Sequence, residues 1–175
     1  NMRIEPEELE QYLPEPLSSS SSIQEDLIYV SNALNNAKRP IILVGHGVRS
    51  ANAVDDLHGF INSCSLPVVY SPSAPDAYGT SNDLSVGSVG IMGCSRAGNF
   101  AIQNADLILV LGNRLSPMTT GSDYCKFGRS AEIVVVDVDP SEHSKETVSI
   151  DKFINADVGD FLKGLQKCQI NPAPK

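Results

Sequence analysis

Three short clusters in this chain have residue types and spacing that could do chemistry. They are Gly45-His46-Gly47, Gly112-Asn113-Arg114 and Asp137-Val138-Asp139, and each follows directly on an apolar run. A guanidinium just beyond a strand, such as Arg114, can hold a phosphate or carboxylate through two parallel N–H bonds. It can equally be spent on an ion pair within the fold, and the residues alone leave both readings open. Asp137 and Asp139 flank Val138, so in an extended strand they point the same way. Asp137 is placed to accept a ribose hydroxyl, whereas Asp139-Pro140-Ser141-Glu142 reads first as a turn opening a short helix, with Asp139 as its cap. Gly45-His46-Gly47-Val48-Arg49-Ser50 is one residue short of the dinucleotide pattern G-x-G-x-x-G, with Ser50 at the third glycine position. That pattern also wants an acid at the end of the next strand, and here the strand ends Tyr70-Ser71-Pro72. A tight strand-to-helix turn accounts for the glycines at least as well.

No nucleophile or metal site suggests itself. The sequence has no G-x-x-x-x-G-K-[ST], no G-x-S-x-G, no H-E-x-x-H and no C-x-x-C. We therefore assign no catalytic residue and no metal ligand. His46, between two glycines, has no evident orienting partner and reads as an exposed loop residue. His58, beside Asp55 on a helix face, and His143, beside Glu142, read as solvated surface residues. Asp157 precedes Val158 at a helix start, where capping is the stronger reading and a ligand contact the weaker. Cys64, Cys94, Cys125 and Cys168 read as reduced thiols of a cytosolic protein, with Cys64 and Cys94 as small core residues.

The elements that must position these clusters are legible from hydrophobic patterning. Ala105 to Leu111 and Glu132 to Val138 hold unbroken apolar stretches, the mark of strands buried on both faces of a parallel sheet. In such sheets ligands sit at the carboxyl ends of the strands. Ile23, Leu27, Val30 and Leu34 form one helical stripe, with Ser22 able to cap it. A strand over 41–44, a helix from about 51 to 63, a strand over 67–70 and a helix over 95–104 follow. Residues 71–84 read as a long loop, Gly87, Gly90 and Gly93 as evenly spaced small residues before a helix, and 115–129 as irregular. A short strand over 154–157 and a helix over 158–165 close the chain. This alternation predicts a three-layer α/β/α, Rossmann-like sandwich on a mainly parallel sheet of five or six strands.

The sequence has 175 residues, 41% hydrophobic and 19% charged, with a net charge of -8. One α/β domain with a full core fits that length. The acidity and the scattered Lys and Arg argue against a nucleic-acid partner. No stretch approaches the roughly 20 apolar residues of a membrane span, so no membrane partner is expected. Residues 1–22 are acidic, contain Pro6, Pro14 and Pro16, and run into Ser18 to Ser22, which reads as an inter-domain linker. Residues 169–175 read the same way, leaving 23–168 as the domain.

Taken in order, Lys38-Arg39-Pro40-Ile41-Ile42-Leu43-Val44-Gly45-His46-Gly47-Val48-Arg49, Leu66-Pro67-Val68-Val69, Val86 to Gly93, Ala105 to Arg114 and Val136 to Glu142 carry a resemblance. The chain resembles the central domain of thiamine-diphosphate-dependent enzymes, on the acetolactate synthase and pyruvate oxidase branch. The resemblance implies a parent enzyme acting on 2-keto acids by decarboxylation and carboligation, as a transferase or lyase. It implies flanking pyrimidine- and diphosphate-binding domains that hold thiamine diphosphate and Mg²⁺, and a homodimer or homotetramer of the parent in the cytoplasm. Such a piece on its own is not expected to be catalytic. Relatives hold FAD, ADP or nothing in the central domain. The positions matching their contacts are Gly45, His46, Gly47, Ser71, Gly90, Gly112, Arg114, Asp137, Asp157 and Val158. After Arg114 the sequence departs from the flavin pattern. Acetolactate synthases typically place an acid and a second arginine before Thr-Gly, where this chain has Leu115-Ser116-Pro117-Met118-Thr119-Thr120-Gly121. The alternative to the enzyme domain is a free-standing FAD-, ADP- or NAD-binding module of Rossmann-like fold.

Overall fold

Leu107–Leu111 and Glu132–Asp137 run side by side as parallel strands, with Leu107 opposite Glu132 and Leu111 opposite Val136. All their residues but Glu132 and Asp137 are buried, as unbroken apolar runs require. They belong to a six-stranded, all-parallel sheet in the computed structural model, which describes residues 23–92 and 94–172. The strands are β1 (Pro40–Val44), β2 (Val68–Tyr70), β3 (Ser85–Ser88), β4 (Leu107–Leu111), β5 (Glu132–Asp137) and β6 (Lys152–Asn155), in the spatial order β3-β2-β1-β4-β5-β6. The helices are α1 (Ile23–Asn36), α2 (Gly47–Ser50), α3 (Val54–Cys64), α4 (Arg96–Asn104), α5 (Pro117–Thr120) and α6 (Val158–Leu165).

Side-chain alternation along the strands divides the core in two. Ile42, Val44, Leu109, Leu111, Val134 and Val136 face α1, α3 and α6. Ile41, Leu43, Ile108, Val110, Ile133 and Val135 face the other layer, built from Ile102 of α4 and from Leu115, Phe127 and Val148 of the connections. The result is the expected three-layer sandwich, with one face covered by three long helices and the other by α4 and irregular chain. Among the described residues no helix is long and apolar enough to cross a membrane.

Several boundaries differ from those read in the sequence. The sixth strand, β3, comes from Ser85-Val86-Gly87-Ser88, which lacks an apolar run because all four residues are only half-buried. Gly87 at φ +125° accompanies a shift in the β2–β3 register between Val68 and Val69. The helix expected from residue 51 begins at Val54, because Ala51 closes α2 and Asn52 at φ +55° turns the chain between the two. β6 lies two residues earlier than expected, since Asp157 is given over to starting α6. Asn35 accepts from the Asn171 N–H and donates to the Gln169 carbonyl, and Ile170 is buried in the core. The packed body therefore continues to Asn171. The expected linker 1–22 and the Ser22 cap lie outside the described residues.

Candidate functional site

β1 leads outward to β2 and β3 in one direction, and β4 leads to β5 and β6 in the other. The loops after β1 and β4 therefore part company, and a crevice must open at the carboxyl ends of the two strands. A cleft of about 630 Å³ lies there. Six of the ten contact positions expected from the family resemblance line it: His46, Gly47, Ser71, Gly112, Arg114 and Asp137. Pro72 and Ser73 after β2, Asn113 after β4, Ser116, Met118 and Thr119 around α5, and Asp139 and Glu142 after β5 complete the wall. Asn113 and Asp139 were legible as strand-end residues. The others sit on loops whose course only the packed chain defines.

The floor is backbone against backbone. The Gly45 N–H donates to the Leu111 carbonyl and the Gly47 N–H to the Gly112 carbonyl, both at 2.9 Å. A Cβ on Gly45 would lie 2.1 Å from the Gly112 oxygen, and one on Gly47 would lie 2.7 Å from the Gly112 Cα. Glycine is required because the two loops touch. The amides of Gly45, Gly47 and Val48 are all spent on internal carbonyls. The Gly45-His46-Gly47 turn thus forms the floor by close approach, and these three amides are not available to an anion in the cleft.

Arg114 is displayed by local strain. The buried Asn113 accepts the Leu115 N–H on its Oδ1 at 2.9 Å, and Leu115 sits at φ +51° with its side chain in the core. A leucine there carries about 1–2 kcal/mol of backbone strain, retained because Leu115 anchors the loop from below. Arg114, between them, is exposed and has no hydrogen bond or ion pair among the described residues. Across the cleft, His46 donates from Nδ1 to the Ser73 carbonyl at 3.2 Å, which fixes its tautomer and leaves Nε2 free of that bond. The Ser71 and Ser73 hydroxyls bond each other at 3.0 Å.

The third side is acidic. Asp139 accepts from the N–H groups of Ser141 and Glu142 on Oδ1, which is its turn-capping role. Asp137 accepts from the Asp139 N–H on Oδ1 at 3.1 Å, and its Oδ2 faces His143 Nε2 at 3.6 Å. His143 is not the surface residue expected: its side chain is 2% exposed and stacks on Phe153, with centroids 5.1 Å apart. The three-residue helical turn Glu142–Ser144 swings it inward over β6. Burial pushes the Asp137 carboxyl up. The His143 ring and the Asp139 and Val138 N–H groups pull harder in the other direction, so it ends below its ordinary value.

The remaining expected residues lie apart from the cleft. Gly45 is beneath the floor. Gly90, at φ +142°, is clamped by Asn99, which accepts its N–H and donates to its carbonyl; it borders a separate cavity of about 190 Å³ that shares Thr119 with the cleft. Asp157 caps α6 by accepting from the Gly159 and Asp160 N–H groups, and Val158 is buried in the core. His58 is half-buried and stacks on Tyr78 at 4.8 Å, so it too is not simply solvated. Cys64 packs against the core as expected, whereas Cys94 lies outside both core clusters, its thiol donating to the Met92 carbonyl. The four cysteines are free thiols. Among the described residues no three His, Cys, Asp or Glu converge on a point that could hold a metal ion.

A doubly wound sheet in this strand order, with a polar cleft at its switch point, defines a nucleotide-fold domain. Comparison with known proteins narrows the class. The model of the thiamine pyrophosphate enzyme central domain matches residues 29–165. The chain is 33% identical over 132 residues to a probable acetolactate synthase large subunit of Methanococcus aeolicus, covering 75% of this chain and 22% of that protein. It is 34% identical over 131 residues to sulfoacetaldehyde acetyltransferase of Castellaniella defragrans, covering 73% and 21%. A 3D-(3,5/4)-trihydroxycyclohexane-1,2-dione hydrolase of Clostridium botulinum is 29% identical over 124 residues, covering 71% and 19%. The chain belongs to the thiamine pyrophosphate enzyme central-domain family. It spans about a fifth of the length of these three relatives.

Proposed function

We propose that this chain is the central domain, with a packed body from about residue 23 to Asn171, of a longer cytoplasmic thiamine-diphosphate-dependent enzyme. The parent acts on 2-keto acids by decarboxylation and carboligation, in the manner of an acetolactate synthase. The match to the central-domain family over most of the packed body carries this reading. Thiamine diphosphate supplies the carbon–carbon chemistry when bound, and it and Mg²⁺ belong to flanking domains of a homodimeric or homotetrameric parent.

The present residues contribute a frame and a nucleotide site. The cleft has the features an ADP moiety needs, whether free or as part of FAD. Arg114 is exposed and unpaired among the described residues, to meet a diphosphate, the Ser71–Ser73 pair and His46 stand opposite, and Asp137 lines the rim as an acceptor for ribose hydroxyls. The absent second arginine after Arg114 favours ADP over FAD.

Two measurements test the reading. The full-length enzyme, supplied with thiamine diphosphate and Mg²⁺, should convert pyruvate to carbon dioxide and acetolactate; no turnover of pyruvate or other 2-keto acids defeats the proposed activity. Thermal unfolding with ADP, FAD and NAD should show stabilisation by ADP. No shift at millimolar ligand defeats the nucleotide site.

A further inference from the structure

Buried polar atoms in folded proteins nearly always have a hydrogen-bond partner. The Nε2 of His143 has none within bonding distance among the described residues, although its side chain is only 2% exposed. Its nearest acidic group is Asp137 Oδ2, at 3.6 Å. The ring cannot swing away easily, because it is stacked on Phe153 of β6. Nor do the other rim acids compete for it. Glu142 is bonded by Lys145, and Asp139 Oδ1 is occupied by the Ser141 and Glu142 N–H groups. His143 does not line the cleft, whereas Asp137 does. A movement of a few tenths of an ångström would close the Nε2–Oδ2 gap to a full charge-assisted bond.

We propose that His143 is a positioning residue for Asp137: its buried ring holds Oδ2 from behind, so that the carboxylate stays oriented in the cleft rim to accept hydroxyls of a ligand. This rests on the reading of the cleft as a nucleotide site and assigns that site's orienting group. The logic is that of a histidine behind a working carboxylate. Oδ1 already accepts the Asp139 N–H; once the 3.6 Å gap to the imidazole closes, Oδ2 is held as well, and the carboxyl group loses its rotational freedom before the ligand arrives. The His143 ring, together with the Asp139 and Val138 N–H groups, draws Asp137 below its ordinary pKa against its own burial.

The test uses His143→Leu, which keeps bulk and removes the ring nitrogens, and His143→Gln, which restores a nitrogen donor. Carbon NMR of the Asp137 carboxyl reads the titration, and calorimetry with ADP reads the site. The expected result is an upward move of the Asp137 midpoint in His143→Leu, an ADP affinity at least threefold weaker, and recovery of most of both in His143→Gln. Should the leucine variant fail to fold, His143→Asn, polar but too short to reach Oδ2, should show the same two changes. An unmoved Asp137 midpoint in a folded variant overturns the proposal, as does a moved midpoint with unchanged ADP affinity. Absence of ADP binding in the unaltered protein instead defeats the nucleotide reading, and the carboxyl titration still judges the His143–Asp137 contact.

Discussion

Replacing Gly45 with alanine should be strongly destabilising although it adds a single carbon. The added Cβ would lie 2.1 Å from the Gly112 oxygen and 2.6 Å from both Cα and Cβ of Asn113, where ordinary contact begins near 3.4 Å. The clash is with backbone, so no side-chain rotation relieves it. The β1 and β4 loops must separate by about 1 Å at the point where Val44 and Leu111 are paired. That movement stretches the Gly45–Leu111 and Gly47–Gly112 hydrogen bonds, each worth about 1 kcal/mol. Overpacking adds about 1–3 kcal/mol, for a total of about 3–5 kcal/mol out of the 5–15 that holds a typical domain. Equilibrium urea unfolding followed by circular dichroism should show the midpoint falling by about 2 M for a slope near 2 kcal/mol/M. Gly59→Ala is the control, because its Cβ meets only the flexible Gln166 side chain, at 3.4 Å or more, in the middle of α3. It should stabilise by about 0.5–1 kcal/mol through helix propensity. A Gly45→Ala protein within about 0.5 kcal/mol of the parent would refute the account of the cleft floor.

Arg114→Ala should leave stability unchanged within about 0.5 kcal/mol, since the side chain is exposed and unpaired among the described residues; calorimetry should show ADP binding at least tenfold weaker. Tyr29 donates to the Glu132 carboxylate, and that bond, then partial burial, then the charges of Glu132 and Asp151 push its pKa up to about 12. Ultraviolet titration should find one tyrosine ionising near 12 and returning towards 10 in Glu132→Gln; its stabilising contribution is intact below pH 10 and fades as pH rises through about 12. Asp137 has a folded pKa below its ordinary 3.8, so it stabilises the fold above that value and the contribution is lost as pH falls beneath it. Asp137→Asn should therefore be less stable than the parent at pH 7 and approach it in acid unfolding below pH 4. Lys152→Met should cost about 2 kcal/mol in urea unfolding, because it strands the buried Asp26 carboxylate it now meets at 2.8 Å.

The unbroken runs of β4 and β5 and the α1 stripe were legible because burial on both faces, or along one helical stripe, writes itself into hydrophobic periodicity. β3 escaped because Ser85-Val86-Gly87-Ser88 sits at the sheet edge, half-buried, where no apolar run is demanded. The strand-end positions of Gly112, Arg114 and Asp137 followed from the strands themselves, and all three line the cleft. Asp157 was read first as a cap for the helix after it, and it caps α6 through the Gly159 and Asp160 N–H groups, an interaction local enough to be legible in the sequence.

By itself the sequence determined the class of fold, the order of its elements apart from β3, and which residues stand at the ends of the apolar strands, since these depend on local patterning and near-neighbour sterics. Only the tertiary structure decided which strand ends meet across the switch point. It also decided that the Gly45 and Gly47 amides are spent on Leu111 and Gly112 rather than free for a ligand, and that His143 is buried against Phe153 behind Asp137. Those outcomes rest on contacts between segments far apart in the chain, whose partners no local spacing encodes.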